Sequence, residues 1–247
     1  MSGHSKWAGI KHKKAVVDAR KGQTFTKVAN EITVAARESG SDPNSNFRLR
    51  LAIQKAREVN MPADNIERAI KRGTGELQGD AIEEIRYEGY GPSGVAILVD
   101  VLSDNRNRTV AAIRNLFTRS GGSLGESNSV GWMFNRTGLI RVDPGSEDPE
   151  ALALRAIELG ADDVQVEDGG VEVYVAPERL ESLRQALSDA NIEVESAEVT
   201  MLPSNTVEVD AKNAPAVVRL LEALEEHDDV REVYCNAVLP DDVLAEV

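Results

Sequence analysis

From Gly138 onward the chain passes through six short segments whose order leaves little freedom in how they can fold. Residues 139–142 read as a strand, 148–159 as a helix, 164–166 and 171–175 as a hairpin around Asp168-Gly169-Gly170, 177–190 as a second helix and 192–199 as a last strand. That is β-α-β-β-α-β, the ferredoxin-like order, complete within about sixty residues. The segments on either side must find their partners elsewhere.

After the insertion come a strand at 206–209, a helix at 215–226 and a strand at 230–237. Such a β-α-β remnant has too few strands to form a sheet and core alone. Its complement is the β-β-α unit before the insertion, with strands at 85–90 and 95–102 and a helix at 110–119. A middle α/β domain is therefore expected in two pieces, 80–136 plus 203–240, interrupted by the ferredoxin-like domain at 137–202.

Residues 1–75 read differently, as a basic helical domain with an N-terminal arm. Phe25, Val28, Ile32 and Ala35 recur at three- and four-residue steps after Thr24, an expected N-cap, and the run stops at Ser39-Gly40. A second helix fits 46–59, with Leu49, Ile53 and Ala56 on one face; Asn60-Met61-Pro62 breaks it, and a short third helix ends at Gly73. The run GTGELQGD at 73–80 has the glycine content of a linker. The expected class is thus α+β with three domains: a three-helix bundle, then a middle α/β domain carrying an inserted ferredoxin-like one.

Charge follows the same division. Residues 1–72 hold 15 Lys and Arg against 7 Asp and Glu, a net of +8; from totals of 28 and 42 this leaves 13 basic and 35 acidic residues elsewhere, a net of −22. The densest basic run, SGHSKWAGIKHKKAVVDARKG at 2–22, has a net of +5. Lysines release phosphate counterions, and an indole among them can stack on a base. His4, Lys6, Trp7, Lys11, His12, Lys13, Lys14 and Lys21 are therefore candidate nucleic-acid-binding residues. A solvated basic tail would have similar composition, but no use for the large ring of Trp7.

Arg106 and Arg108 form a second candidate phosphate site. They lie in SDNRNRT before the helix at 110–119, for which Asn107 or Thr109 can serve as cap. Positive side chains at a positive helix end oppose the macrodipole, and an anion placed there relieves the conflict. The alternative is two exposed arginines in a cap loop.

Other motifs are set aside. Gly89, Gly91 and Gly94 match G-x-G-x-x-G, but the dinucleotide fingerprint needs a helix opening at the glycines, and the β-branched run VAILV follows instead. Asp100 and Asp104 lie at a strand end where a divalent ion could bind, but without a third ligand in view. The three histidines have no metal-ligand spacing, no serine stands in a nucleophile elbow, and the single cysteine, Cys235, reads as a small core or edge residue. No enzymatic activity, cofactor or metal is expected. The absence of an apolar leader or of a run near the ~20 residues of a membrane span predicts a cytoplasmic protein with no membrane partner.

Three stretches carry a family resemblance: GHSKWAGIKHKKAVVDARKGQTFTK, YEGYGPSGVAILVDVLSDNRNRTVAAIRNLF and GGSLGESNSVGWMF. They resemble the signatures of the YebC/PmpR family, whose mitochondrial relative activates translation of a cytochrome oxidase subunit. One departure is visible. Where the family usually reads G-S-V-A-W-M-F, this chain has Asn128-Ser129-Val130-Gly131-Trp132-Met133-Phe134. The resemblance implies three domains, no known enzymatic activity and a role in gene expression. Many members are labelled transcriptional regulators that bind promoter DNA; others act on the ribosome, helping translation through consecutive prolines. The binding role carries onto the arm residues named above, with Arg106 and Arg108 secondary. A flexible basic arm suits irregular, unstacked RNA, and acidic domains can sit in a ribosomal cavity if only the arm touches RNA. The expected partners are ribosomal RNA or promoter DNA, and the ribosome, for a chain expected to be monomeric. A DNA-binding transcriptional regulator and a protein-interaction module without nucleic acid are the two alternatives.

Overall fold

A computed structural model describes residues 21–78, 81–167 and 170–240. The described chain divides into two compact units: Phe134–Ser204 is one, and the described residues on either side of it form the other.

In the two-piece unit the first helix, α1 (Lys21–Ser39), is followed by α2 (Phe47–Glu58) and α3 (Ala63–Gly73). Thr24, expected as an N-cap, lies inside α1, because the helix is already formed at Lys21. Asn46 does cap α2: its side-chain oxygen accepts from the Leu49 N–H at 3.0 Å, while its amide donates to the Ala35 and Gly40 carbonyls, each at 2.8 Å. One buried side chain thus satisfies an orphan donor of α2 and ties it to two carbonyls at the C-terminal end of α1. Val28, Ile32, Leu49 and Ile53 fill the core between these helices.

The sheet of this unit has the order β3-β1-β2-β9, from β1 (Glu83–Tyr90), β2 (Ala96–Ser103), β3 (Ser123–Leu124) and, after the insertion, β9 (Val230–Cys235). The C-terminal segment therefore does close the middle sheet. Every residue of β2 is buried, which explains why it is apolar but for Asp100 and Ser103. Ile97, Val99 and Val101 point into a core with α4 (Arg106–Arg119) and α7 (Ala214–Glu225). Leu102, on the opposite face, meets Ile82 and Val34 of α1. Asp100 shares that face at 3 % exposure, where Arg86 grips it through bonds of 2.6 and 2.8 Å and Arg231 adds one of 3.1 Å. This accounts for Asp100 as a structural counter-charge. At Asn236 the chain leaves the sheet, and β10 (Ala237–Val238) pairs in parallel with β8 (Val207–Glu208).

Gly89 lies within β1, and Gly91 to Val95 form the turn to β2, with Ser93 and Gly94 at φ of 60° and 76°; a strand follows. The dinucleotide reading fails for the reason given by the sequence.

The second unit runs β4 (Phe134–Val142), α5 (Pro149–Glu158), β5 (Asp163–Glu167), β6 (Gly170–Val175), α6 (Leu180–Asp189) and β7 (Val194–Pro203). Its sheet order is β5-β6-β4-β7, antiparallel throughout, which is the ferredoxin-like arrangement. The expected strand at 139–142 is longer in the structure because its first half pairs with β7 from Pro203 to Val199.

Candidate nucleic-acid interface

His4, Lys6, Trp7, Lys11, His12, Lys13 and Lys14 lie outside the described residues, and Lys21 is described only as the first residue of α1. Four of the described cations of the helical segment bond groups elsewhere in the same unit. Lys27 donates to the Glu225 carbonyl and Arg37 to that of Ile82, at 2.8 Å for the latter. Arg48 bridges Glu38 at 2.7 Å and Glu84 at 3.0 Å, and Lys55 lies 3.8 Å from Glu31 and 3.7 Å from Glu232. These side chains tie the bundle to its own acids and to the sheet. Arg57 and Arg72 are exposed and make no ion pair among the described residues.

At the start of α4 the cap is Asn105, whose side chain accepts from the Arg108 N–H at 3.1 Å. The helix thus begins earlier than expected, and Arg106 and Arg108 lie in its first turn. Thr109 does not cap; its hydroxyl is buried against Asp229 and Ser103. Arg108 donates to Asp104 at 2.9 Å and to both Asp229 oxygens at 3.2 and 3.0 Å. Those bonds, to Asp229 first and Asp104 second, push the guanidinium pKa further up. The anion that this helix end calls for is therefore present within the chain. Arg106 is exposed, contributes its carbonyl to the Tyr87 hydroxyl at 3.4 Å, and has no ion pair among the described residues. Beside Arg108 opens a cleft of about 610 Å³ lined by Arg72 and by Asp104, Glu226, Asp228 and Asp229. Four carboxylates against two guanidinium groups make it a poor seat for phosphate.

A further candidate, unmarked by charge, follows the edge strand β3. Glu88 of β1 is only 7 % exposed, yet its carboxylate accepts from the backbone N–H groups of Asn128 at 2.9 Å, Val130 at 2.8 Å and Gly131 at 2.6 Å. The Gly125 N–H donates to the Glu88 carbonyl at 2.8 Å, and the Tyr90 hydroxyl to that of Ser129 at 3.1 Å. Asn128 takes the left-handed φ of 65° that the turn requires. The rigid loop so formed presents Trp132 at 69 % exposure.

Known proteins place this geometry. Residues 5–76 match a family model described as the TACO1/YebC protein N-terminal domain, and 82–237 one described as the TACO1/YebC second and third domain. The chain belongs to the TACO1/YebC family. It is 51 % identical over 247 residues to a probable transcriptional regulatory protein of Natranaerobius thermophilus, covering 99 % of both chains. A protein of the same description from Halothermothrix orenii is 52 % identical over 250 residues, covering 100 % of this chain and 99 % of its relative. Among solved structures, a conserved hypothetical protein of Aquifex aeolicus superposes with a TM-score of 0.86 at 47 % identity, covering 96 % of this chain and 98 % of that one.

The two TACO1/YebC matches are separated by residues 77–81, which overlap the glycine-rich run at 73–80. Lys6 through Lys21 fall in the N-terminal domain match, with His4 just before it. Arg106, Arg108, Glu88 and Trp132 fall in the second.

Proposed function

We propose that this TACO1/YebC protein is a non-enzymatic, cytoplasmic regulator of gene expression that works on the ribosome. In this reading it holds RNA with the basic arm, through His4, Lys6, Trp7, Lys11, His12, Lys13, Lys14 and Lys21, and eases stalls such as proline runs. The observation that carries it is the segregation of charge, +8 over residues 1–72 against −22 over the rest. The described cations add support. Lys27, Arg37, Arg48 and Lys55 bond acids and carbonyls of their own unit, and the cleft beside Arg108 is acidic. Contact with a polyanion then falls chiefly to the arm, with exposed Arg57, Arg72 and Arg106 as secondary grips; Arg108 joins only by exchanging Asp104 and Asp229 for phosphate.

A second reading, regulation at promoter DNA, is favoured by the names of the relatives, which are called probable transcriptional regulatory proteins. The same arm would bind duplex DNA through its charge. Replacing Lys11, Lys13 and Lys14 with alanine tests the arm under either reading. The log–log salt dependence of nucleic-acid binding should flatten by roughly 2 to 3 units. An unchanged slope removes the arm from the interface and favours a protein-interaction role.

A further inference from the structure

Large apolar side chains are costly to leave in water, and an indole ring has more area to hide than almost any other side chain. Trp132 is nevertheless 69 % exposed, while its neighbour Val130 is fully buried. The loop is not loose: a buried carboxylate, that of Glu88, fixes it through three backbone N–H groups. The polar edge of the indole is also occupied, since its Nε1–H donates to the Ser129 carbonyl at 3.3 Å. What the ring still offers is its flat face.

The surroundings distinguish between partners. Protein docking sites bury an anchor within a wider apolar patch. The loop that carries Trp132 instead presents exposed Glu126, Ser127 and Asn128, and the other exposed large hydrophobic residue among the described residues of this unit is Leu77, in the glycine-rich run after α3. A lone ring on a loop that also exposes the Ser127 hydroxyl and the Asn128 amide, beside the Glu126 carboxylate, matches the way proteins hold an unstacked base, by stacking on its face and reaching its edge.

We propose that Trp132 is a base-stacking platform for single-stranded RNA, a second contact separate in sequence from the basic arm, preorganised by Glu88. This rests on the nucleic-acid reading above.

The chain contains two tryptophans, so Trp7→Phe leaves Trp132 as the single emitter while keeping a ring in the arm. This variant is titrated with an unstructured oligoribonucleotide and with the duplex of the same sequence, and Trp132→Ala and Trp132→Phe are compared in the otherwise unaltered chain. Single-stranded RNA should quench Trp132. Trp132→Ala should weaken that binding about 5- to 150-fold while leaving duplex affinity and the melting temperature unchanged, and Trp132→Phe should restore part of the loss. Binding that keeps its salt slope but neither quenches Trp132 nor responds to Trp132→Ala overturns the platform and leaves the arm reading intact. Equal loss for single strand and duplex overturns stacking, as does quenching that appears with rising protein concentration without RNA, which identifies a second copy as the occupant. Failure of the unaltered chain to bind either nucleic acid overturns both readings.

Discussion

Arg108 holds Asp229, 121 residues further along the chain, through hydrogen bonds of 3.2 and 3.0 Å to its two carboxylate oxygens. The pair joins the first turn of α4 to the loop before β9, so it closes the middle sheet from the side where the chain returns. Burial acts to raise the Asp229 carboxyl, but hydrogen bonds from Thr109 and Arg108 and the nearby positive charge outweigh it and hold the group below its ordinary value of 3.8. A depressed folded-state pKa gives stability that is complete above the ordinary value and is lost as pH falls through the folded one. Urea unfolding at neutral pH should therefore show Asp229→Asn less stable than the parent. Between roughly pH 4 and pH 2 the gap should narrow. A constant gap across that range would remove Asp229 from the acid transition.

Gly73 closes α3 where it crosses α1. A Cβ there would press on the Thr33 carbonyl oxygen and stand 2.8 Å from Ala36 Cβ, and both belong to the neighbouring helix. Gly73→Ala should cost about 1–3 kcal/mol by forcing the helices apart. A stability equal to the parent in denaturant titration would mean that the crossing is not tight.

Asn128 has φ of 65°, in the loop that Glu88 organises. Asparagine tolerates the left-handed region and β-branched residues do not. Asn128→Gly should keep or slightly raise thermal stability, whereas Asn128→Val should lower it by about 1–2 kcal/mol. Where the family usually has the glycine of G-S-V-A, Asn128 adopts this left-handed conformation. Equal stability of the two variants would contradict that account.

The insertion was legible because each of its six segments carries its own signal: Asp148 accepts from the Glu150 N–H, Pro149 opens α5, and alternating apolar residues mark the strands. The middle sheet was legible because the β-α-β segment at 206–237 has too few strands to stand alone and finds its complement in the β-β-α unit before the insertion. Local caps were harder to read. SDNRNRT offers several capping residues, and the choice of Asn105 over Thr109 is made by Asp229, 120 residues away, which draws the Thr109 hydroxyl to itself. Thr24 misled in the opposite sense, standing at the edge of an apolar period inside a helix that starts earlier. Glu88 gave no signal, since an acid in a strand reads as solvent-facing until its N–H donors, forty residues on, are brought to it. Trp132 stood in plain view, but sequence pattern does not tell an exposed ring from a buried one.

The ribosome-bound reading is tested most directly by sedimenting cell extract through a sucrose gradient at moderate salt, with and without nuclease, and probing the fractions for this protein. The account predicts co-migration with ribosomal particles that is lost when Lys11, Lys13 and Lys14 are replaced by alanine. Recovery of the protein only in the free fraction, while the purified chain still footprints a defined promoter, would contradict it and favour the transcriptional reading.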